Sequence, residues 1–197
     1  MTLTLLHALK EWAVAVAALT TGTTILLLRK GGIREHQGRF GVEFDRVLLY
    51  PTYEHQQPHL LKPDYATQVT PVASGWHPQF VSIPAWAQIT QVWQVSEPAI
   101  VEALLPYHIW NDRFVGERWH WKPHQPIYIL LLRVYRLETI AEMPYRPEYG
   151  GCRSWIDLEE SIAISEHDPV LNDDDYTRQV DQIREIVMGG SSWVMGH

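Results

Sequence analysis

The chain has 197 residues, 46% of them apolar and 20% charged, and a net charge of −7; the length suits one domain with a substantial core, and the composition excludes disorder over most of it. A single cysteine, Cys152, excludes an intrachain disulfide and a cysteine-rich zinc site and fits a reducing compartment, so a cytoplasmic protein is expected. Charge is uneven: residues 1–62 hold seven Lys/Arg against five Asp/Glu, and residues 138–197 hold four against thirteen. The acidic end argues against nonspecific duplex binding by the whole surface, while a basic patch on the N-terminal half is compatible with the count.

In chain order, residues 3–12 place Leu5, Leu6, Leu9 and Trp12 at helical spacing, so a short amphipathic helix is expected there. The stretch WAVAVAALTTGTTILLLRK is not read as a membrane span or a signal peptide: Thr20, Thr21, Gly22, Thr23 and Thr24 interrupt it, and no basic segment precedes it. Its two apolar runs predict a β-hairpin with strands at about 13–19 and 23–29. Gly31, Gly32 and Gly38 then break the pattern, and RVLLYP reads as a strand ended by Pro51.

From Pro51 to Pro84 recurrent prolines predict irregular structure, with short strands at TQVTPVA and AQITQVWQVS where apolar residues alternate. Ser96 is expected to cap a helix carrying Glu97 and Pro98 in its first turn and Ile100, Val101, Leu104 and Leu105 on its apolar face. A second helix is expected over about 107–119, with Ile109 or Trp110, Phe114 and Arg118 stacked at helical spacing as a packing stripe. Residues 126–138, PIYILLLRVYRLE, predict a long strand central in the sheet. GGCRSWIDLE offers a glycine turn into a further short strand. A final helix is expected to bury Val180, Ile183 and Val187 alongside Tyr176, with Asp173, Asp174 and Asp175 at its start and Gly189 and Gly190 at its stop. Strands interrupted by helices without regular alternation predict a single α+β domain over about 1–165, with a mostly antiparallel, barrel-like sheet, followed by an acidic helical segment at 166–197.

The chemistry-bearing residues are sparse. His55 and His59 beside Glu54, and His120 with His124, have the four-residue spacing of helical metal ligands, but Pro51, Pro58, Pro63 and Pro123 deny the helices, so no metal is expected. No glycine-flanked serine elbow is present, and Cys152 has no indicated histidine partner. RKGG lacks the spacing of a phosphate-binding loop and no dinucleotide fingerprint appears, so no cofactor is expected. Enzymatic activity is therefore not the favoured reading, and a hydrolytic or metal-dependent enzyme ranks third.

What remains is a set of recognition groups. Arg29, Lys30 and Arg34 offer guanidinium forks and an ammonium near glycines that permit close backbone approach. Tyr53, His55 and Gln56 offer stacking and hydrogen bonding, as do Trp110 and the group Arg153, Ser154 and Trp155. Turns and satisfied loop polar groups would explain the same residues. Nine Trp and nine Tyr beside only four Phe suit stacking pockets or interfaces as well as an aromatic core.

The stretches ALKEWAVAVAAL, ILLLRKGGIRE, LLYPTYEHQ, IWNDRFVGERWHWKP, YILLLRVYRL and EYGGCRSWIDL, spread over about 8–160, resemble the domain of unknown function 1802 family of cyanobacteria and other bacteria. The occurrence of some members with an Mrr-type restriction endonuclease domain implies a part in restriction-modification, although this chain shows no such fused domain. By fold-level analogy the domain also resembles the PUA-like group of small barrels that bind RNA or flipped modified bases. Two functions follow: recognition of nucleic acid or a modified nucleotide, with the polar stretches converging beside an electropositive cleft, or assembly with a protein partner through an aromatic patch or the acidic C-terminal helix. A membrane partner is not expected.

Overall fold

A computed structural model describes residues 3–30, 34–36, 39–42, 44–121, 126–151 and 153–189, with the side chains of 34–36 and 39–41 outside the description. In chain order the elements are β1 (Leu3–Trp12), α1 (Ala13–Thr21), β2 (Leu26–Arg29), β3 (Arg34–His36), β4 (Arg39–Gly41), β5 (Arg46–Thr52), α2 (Pro63–Ala66), β6 (Phe80–Val95), α3 (Pro98–Ala103), α4 (Asp112–His120), β7 (Ile127–Pro144), β8 (Trp155–Ile164) and α5 (Asp173–Gly189). Three 3-10 turns lie between them, at Pro58–Leu60, Leu105–Tyr107 and Pro147–Tyr149. One sheet runs β2-β7-β6-β5-β1-β8, and β3 and β4 form a separate ribbon. All pairs in the large sheet are antiparallel except β1 with β5. The domain is α+β, as the sequence predicts.

The sheet curls. Arg29 at the end of β2 donates from Nη1 to the Lys10 carbonyl of β1 at 3.2 Å, although β7, β6 and β5 lie between those strands in the sheet order. Bulges at Ile83/Ala85 and Ile89/Gln91 break the register of the long β6–β7 pair, and such irregularities bend a ribbon and increase its twist. The result is the barrel-like sheet expected, with one large core against α1, α3, α4 and α5 and a smaller one, around Trp86, Tyr149, Ile156 and Leu158, on the other side.

The N-terminal expectation is corrected on two counts. Residues 3–12 form a strand, held by parallel pairing of Ala8–Trp12 with Leu48–Thr52 on one side and antiparallel pairing with β8 on the other. The expected hairpin strand at 13–19 is instead helix α1. Alanine at 13, 15, 17 and 18 favours helix, and Val14, Ala15, Val16, Ala18 and Leu19 are buried, so nearly every face is apolar and no 3.6-residue period shows. The TTGTT segment ends this helix rather than turning a hairpin. Gly22 adopts the left-handed conformation at φ 75° and its N–H caps toward Ala18 and Leu19, while Thr20, Thr21 and Thr23 donate their hydroxyls to the Ala17 and Ala18 carbonyls.

Elsewhere the differences are smaller. TQVTPVA forms no strand, whereas AQITQVWQVS lies within the 16-residue β6. Glu97 rather than Ser96 occupies the cap position of α3, without a side-chain bond. Helix α4 begins at Asp112, five residues later than expected, because Asn111 caps it by accepting the Phe114 N–H at 3.1 Å and the preceding Leu105–Tyr107 segment winds as a 3-10 turn. Strand β7 is interior, between β2 and β6, and β8 is a ten-residue edge strand. Helix α5 buries Val180, Ile183 and Val187 as its apolar stripe dictates and is capped by Asn172, which accepts the Asp175 N–H at 2.8 Å. Gly190 and Cys152 lie outside the described residues. No helix among the described residues is long and apolar enough to cross a membrane.

Candidate functional site

A cleft of about 550 Å³ opens where β1 and β5, the single parallel pair, end together. Lys10, Glu11 and Trp12 of β1 and Tyr50, Pro51 and Thr52 of β5 form its floor. Arg29 and Lys30 enter from the end of β2. The segment after β5 supplies Tyr53, Glu54, His55, Trp76 and His77, α4 and its approaches supply Trp110, Phe114, Arg118 and Trp121, and the turn before β8 supplies Tyr145, Tyr149, Gly151, Arg153 and Ser154. This volume lies in the range of small-ligand sites, roughly 300–1,000 Å³.

Its walls are aromatic. Trp110 stacks on Phe114 with centroids 4.9 Å apart, and Trp12 meets Phe114 edge-on at 6.2 Å. At the opposite lip Tyr53 meets Trp76 edge-on at 6.0 Å and His77 stacks on Tyr145. Trp76 and Trp121 remain about half exposed, at 45% and 48%, and the Arg118 guanidinium lies 5.5 Å from the Trp121 ring. Buried hydrogen-bonding groups accompany them: the Tyr50 hydroxyl and the Trp110 indole N–H make no hydrogen bond among the described residues. Burial, reinforced by Tyr145, Tyr149 and Tyr53, holds the Tyr50 hydroxyl firmly in its protonated form.

The cleft is also cationic. Among the described residues that line it are five cations, Lys10, Arg29, Lys30, Arg118 and Arg153, and two carboxylates, Glu11 and Glu54. Most of these charges have structural duties. Arg29 pairs with Glu11 at 2.7 Å, both side chains being 11% exposed. Lys10 Nζ donates to the Tyr149 and Gly151 carbonyls, fixing the turn in which Gly151 adopts φ 72°. Lys30 Nζ donates to the Arg118 and Trp119 carbonyls at 2.7 and 3.0 Å, occupying the otherwise unpaired C-terminal carbonyls of α4. Burial first, then the neighbouring Arg118 charge, lowers the Lys30 pKa. Glu54 sits at the lip, where its carboxylate accepts from the Gly75 N–H and the Ser74 hydroxyl; the Gly75 bond above all holds its pKa below the usual range. His55 beside it is exposed, lies 3.3 Å from Glu54 and adopts φ 64°, a conformation uncommon for a residue with a side chain and often found at functional positions.

Of the residues singled out from sequence, Arg29, Lys30, Tyr53, His55, Trp110, Arg153 and Ser154 therefore line one cleft. Two do not. Gln56 turns away to accept the Val14 N–H at 3.0 Å, serving the start of α1, and Trp155 packs against the larger core. Arg34 lies on β3, its side chain outside the description. Sequence reasoning missed Lys10, Glu11, Trp12, Tyr50, Trp76, Trp121, Tyr145 and Tyr149 as site residues and read Phe114 and Arg118 as packing alone. The signal that reaches most of them is the set of family-like stretches: ALKEW, ILLLRK, LLYPTYEH, IWNDRFVGERW and EYGG all touch the cleft, whereas YILLLRVYRL is core strand β7. Among the described residues no group of three or more His, Cys, Asp or Glu is placed to hold a metal, and His124 lies outside them.

A family model described as Domain of unknown function (DUF1802) matches residues 8–182. The chain belongs to this family. The match takes in every element of the DUF1802 domain that lines the cleft. Among curated proteins none matches the chain. Among solved structures it is similar to the crystal structure of ASCH from Zymomonas mobilis, with 10% identity and a TM-score of 0.45 over 89% of this chain and 93% of that one. A tyrosine-to-phenylalanine mutant of the same Zymomonas mobilis protein gives 10% identity and a TM-score of 0.44 over 89% and 96%.

Proposed function

We propose that this DUF1802 domain is a recognition module for nucleic acid or a modified nucleotide, bound in the cleft between β1, β5 and α4. The observation that carries the reading is the combination of half-exposed Trp side chains with a surplus of Lys and Arg over Glu among the described residues lining one cavity of about 550 Å³. Aromatic faces stack on any base, and cations offset the phosphate backbone; together they form the usual platform for unpaired nucleotides. The acidic face of α5, with Asp173, Asp174, Asp175 and Asp181, belongs to another part of the chain than the cleft lining and keeps the basic character local. The curled sheet and its helices are compatible with the PUA-like architecture, which we include in the proposal together with the cytoplasm as the site of action. The implied link to restriction-modification supports including modified bases among the ligands.

The test is fluorescence anisotropy with short single- and double-stranded DNA and RNA, with and without modified bases, over a salt series. Binding should weaken with salt, and Arg153→Ala, which removes an exposed cation at the rim, should lower the slope of log K against log salt by about one. Salt-independent binding, or none to any probe, would defeat the proposal and leave assembly with a protein partner as the better reading.

A further inference from the structure

Three cleft side chains make no hydrogen bond among the described residues: Arg118 on α4, Trp110 just before that helix, and Tyr50 on β5. Arg118 lies in the last turn of that helix with its guanidinium over two rings, 4.9 Å from the Phe114 centroid and 5.5 Å from that of Trp121. The two rings hold the guanidinium by cation–π attraction. Yet no hydrogen bond and no ion pair engages it among the described residues, in contrast to Arg29, Lys10 and Lys30, whose donors are taken by Glu11 and by backbone carbonyls. Arg118 is only partly exposed; the Glu11 and Glu117 charges reach it through space, against its burial and the Arg29 charge, but its N–H groups have no hydrogen-bond acceptor among the described residues. Trp110, 1% exposed beside α4, and Tyr50, 3% exposed in the floor, add an indole N–H and a hydroxyl with no hydrogen-bond partner among the described residues.

A guanidinium and an indole can only donate, so their complement is a group that can only accept and that carries negative charge. A phosphoryl group has this chemistry, with oxygens spaced for the forked N–H pairs of arginine. Five cations against two carboxylates favour a dianion over a monoanion, and a terminal phosphate monoester carries about −1.5 to −2 charge at neutral pH. A phosphodiester within a strand carries only one. We infer that Arg118 is the seat of a terminal phosphate monoester, belonging either to the end of a nucleic-acid strand or to a free mononucleotide. This rests on the nucleotide reading above and adds to it the group that is recognised and the residue that recognises it.

The test compares labelled single-stranded oligonucleotides bearing a 5′-phosphate, a 3′-phosphate or hydroxyls at both ends, in wild type, Arg118→Gln and Arg118→Lys. A phosphorylated end should bind roughly 10- to 100-fold tighter than the hydroxyl form, the range of one charge-assisted contact, and Arg118→Gln should abolish that preference. Arg118→Lys keeps the charge without the fork and should retain only part of it; should the Gln variant fail to fold, loss of preference in the Lys variant decides the matter. Competition by a 5′-mononucleotide would assign the monoester to a free nucleotide, and lack of competition with end preference intact would assign it to a strand end. Equal binding of all three oligonucleotides by wild type, or an end preference that survives Arg118→Gln, would overturn the role of Arg118 while leaving nucleic-acid recognition standing. No binding of any oligonucleotide or mononucleotide would overturn both.

Discussion

His108 gives the protein an acid-sensitive point away from the cleft. The side chain is 2% exposed, between the 3-10 turn at Leu105–Tyr107 and Trp110, whose ring lies 5.8 Å away. Burial in the first place, and the nearby Lys62 ammonium in the second, bring its pKa down to about 3, against a backbone interaction with Trp110 that favours the proton. Lys62 is fixed there because its Nζ donates to the carbonyls of Leu105 and His108 at 2.5 Å each. In the unfolded chain the imidazole titrates near its ordinary value of about 6.5. Below that pH the unfolded state takes up a proton that the folded state refuses, so stability falls as pH falls, until the folded form also protonates near pH 3. At about 1.4 kcal/mol per unit, the descent from pH 7 to pH 4 removes roughly 3 kcal/mol, a large share of a domain's typical 5–15 kcal/mol. Urea unfolding of wild type and His108→Phe at half-unit intervals over this range isolates the effect, since the variant keeps a ring in the pocket but cannot titrate. The stability gap should move in favour of the variant by roughly 3 kcal/mol between pH 7 and pH 4. A gap that stays constant with pH would refute the reasoning.

Three further outcomes are expected. Trp110→Ala removes a side chain that is 1% exposed and stacked on Phe114, and should cost about 3–5 kcal/mol in chemical denaturation. Gly22→Ala places a Cβ 2.8 Å from Leu171 Cδ2 at φ 75° and should destabilise by about 1–3 kcal/mol, read as a lowered thermal midpoint; an unchanged midpoint would contradict the left-handed cap of α1. Asn111→Ala removes the cap of α4 and two bonds from its amide to the His59 and Leu61 carbonyls, and should cost about 1–2 kcal/mol. Because α4 carries Arg118, that variant should also weaken binding in the anisotropy assay.

The parts of the fold legible from sequence are those whose burial is one-sided or complete over a long run. Helix α5 shows Tyr176, Val180, Ile183 and Val187 on one stripe, and the IYILLLRV run of β7 is too long and too rich in β-branched and leucine residues to be a loop. Helix α1 was not legible because burial on nearly all sides erases the period, and its short apolar run has the length of a strand. β1 was misread for the opposite reason: Leu5, Leu6 and Leu9 imitate a helical stripe, while the pairing that makes the segment a strand comes from β5 and β8, distant in the chain. The site inherited both errors. With residues 3–12 assigned to a surface helix, Lys10, Glu11 and Trp12 had no reason to face Arg29. Gln56 and Trp155 lie next to cleft residues in sequence but turn to the start of α1 and to the core: Gln56 follows the turn in which His55 adopts φ 64°, and Trp155 is the first residue of β8, after the bend at Ser154.

The single parallel pair also divides the cleft by origin. The ends of β1 and β5, with α4 tied to β2 through Lys30, form a half built into the sheet and its cores. The other half, Tyr53 to His77, belongs to the segment joining β5 to β6. Leu60, Leu61 and Val69 of that connection belong to the larger core, but a sequence change confined to its cleft-lining ends, residues 53–55 and 76–77, leaves the paired registers and those core residues in place, so the domain has a constant anchoring half and an exchangeable rim. Divergence in what is bound can proceed by altering those cleft-lining ends alone, with Arg118 and its two supporting rings kept as a fixed point of attachment.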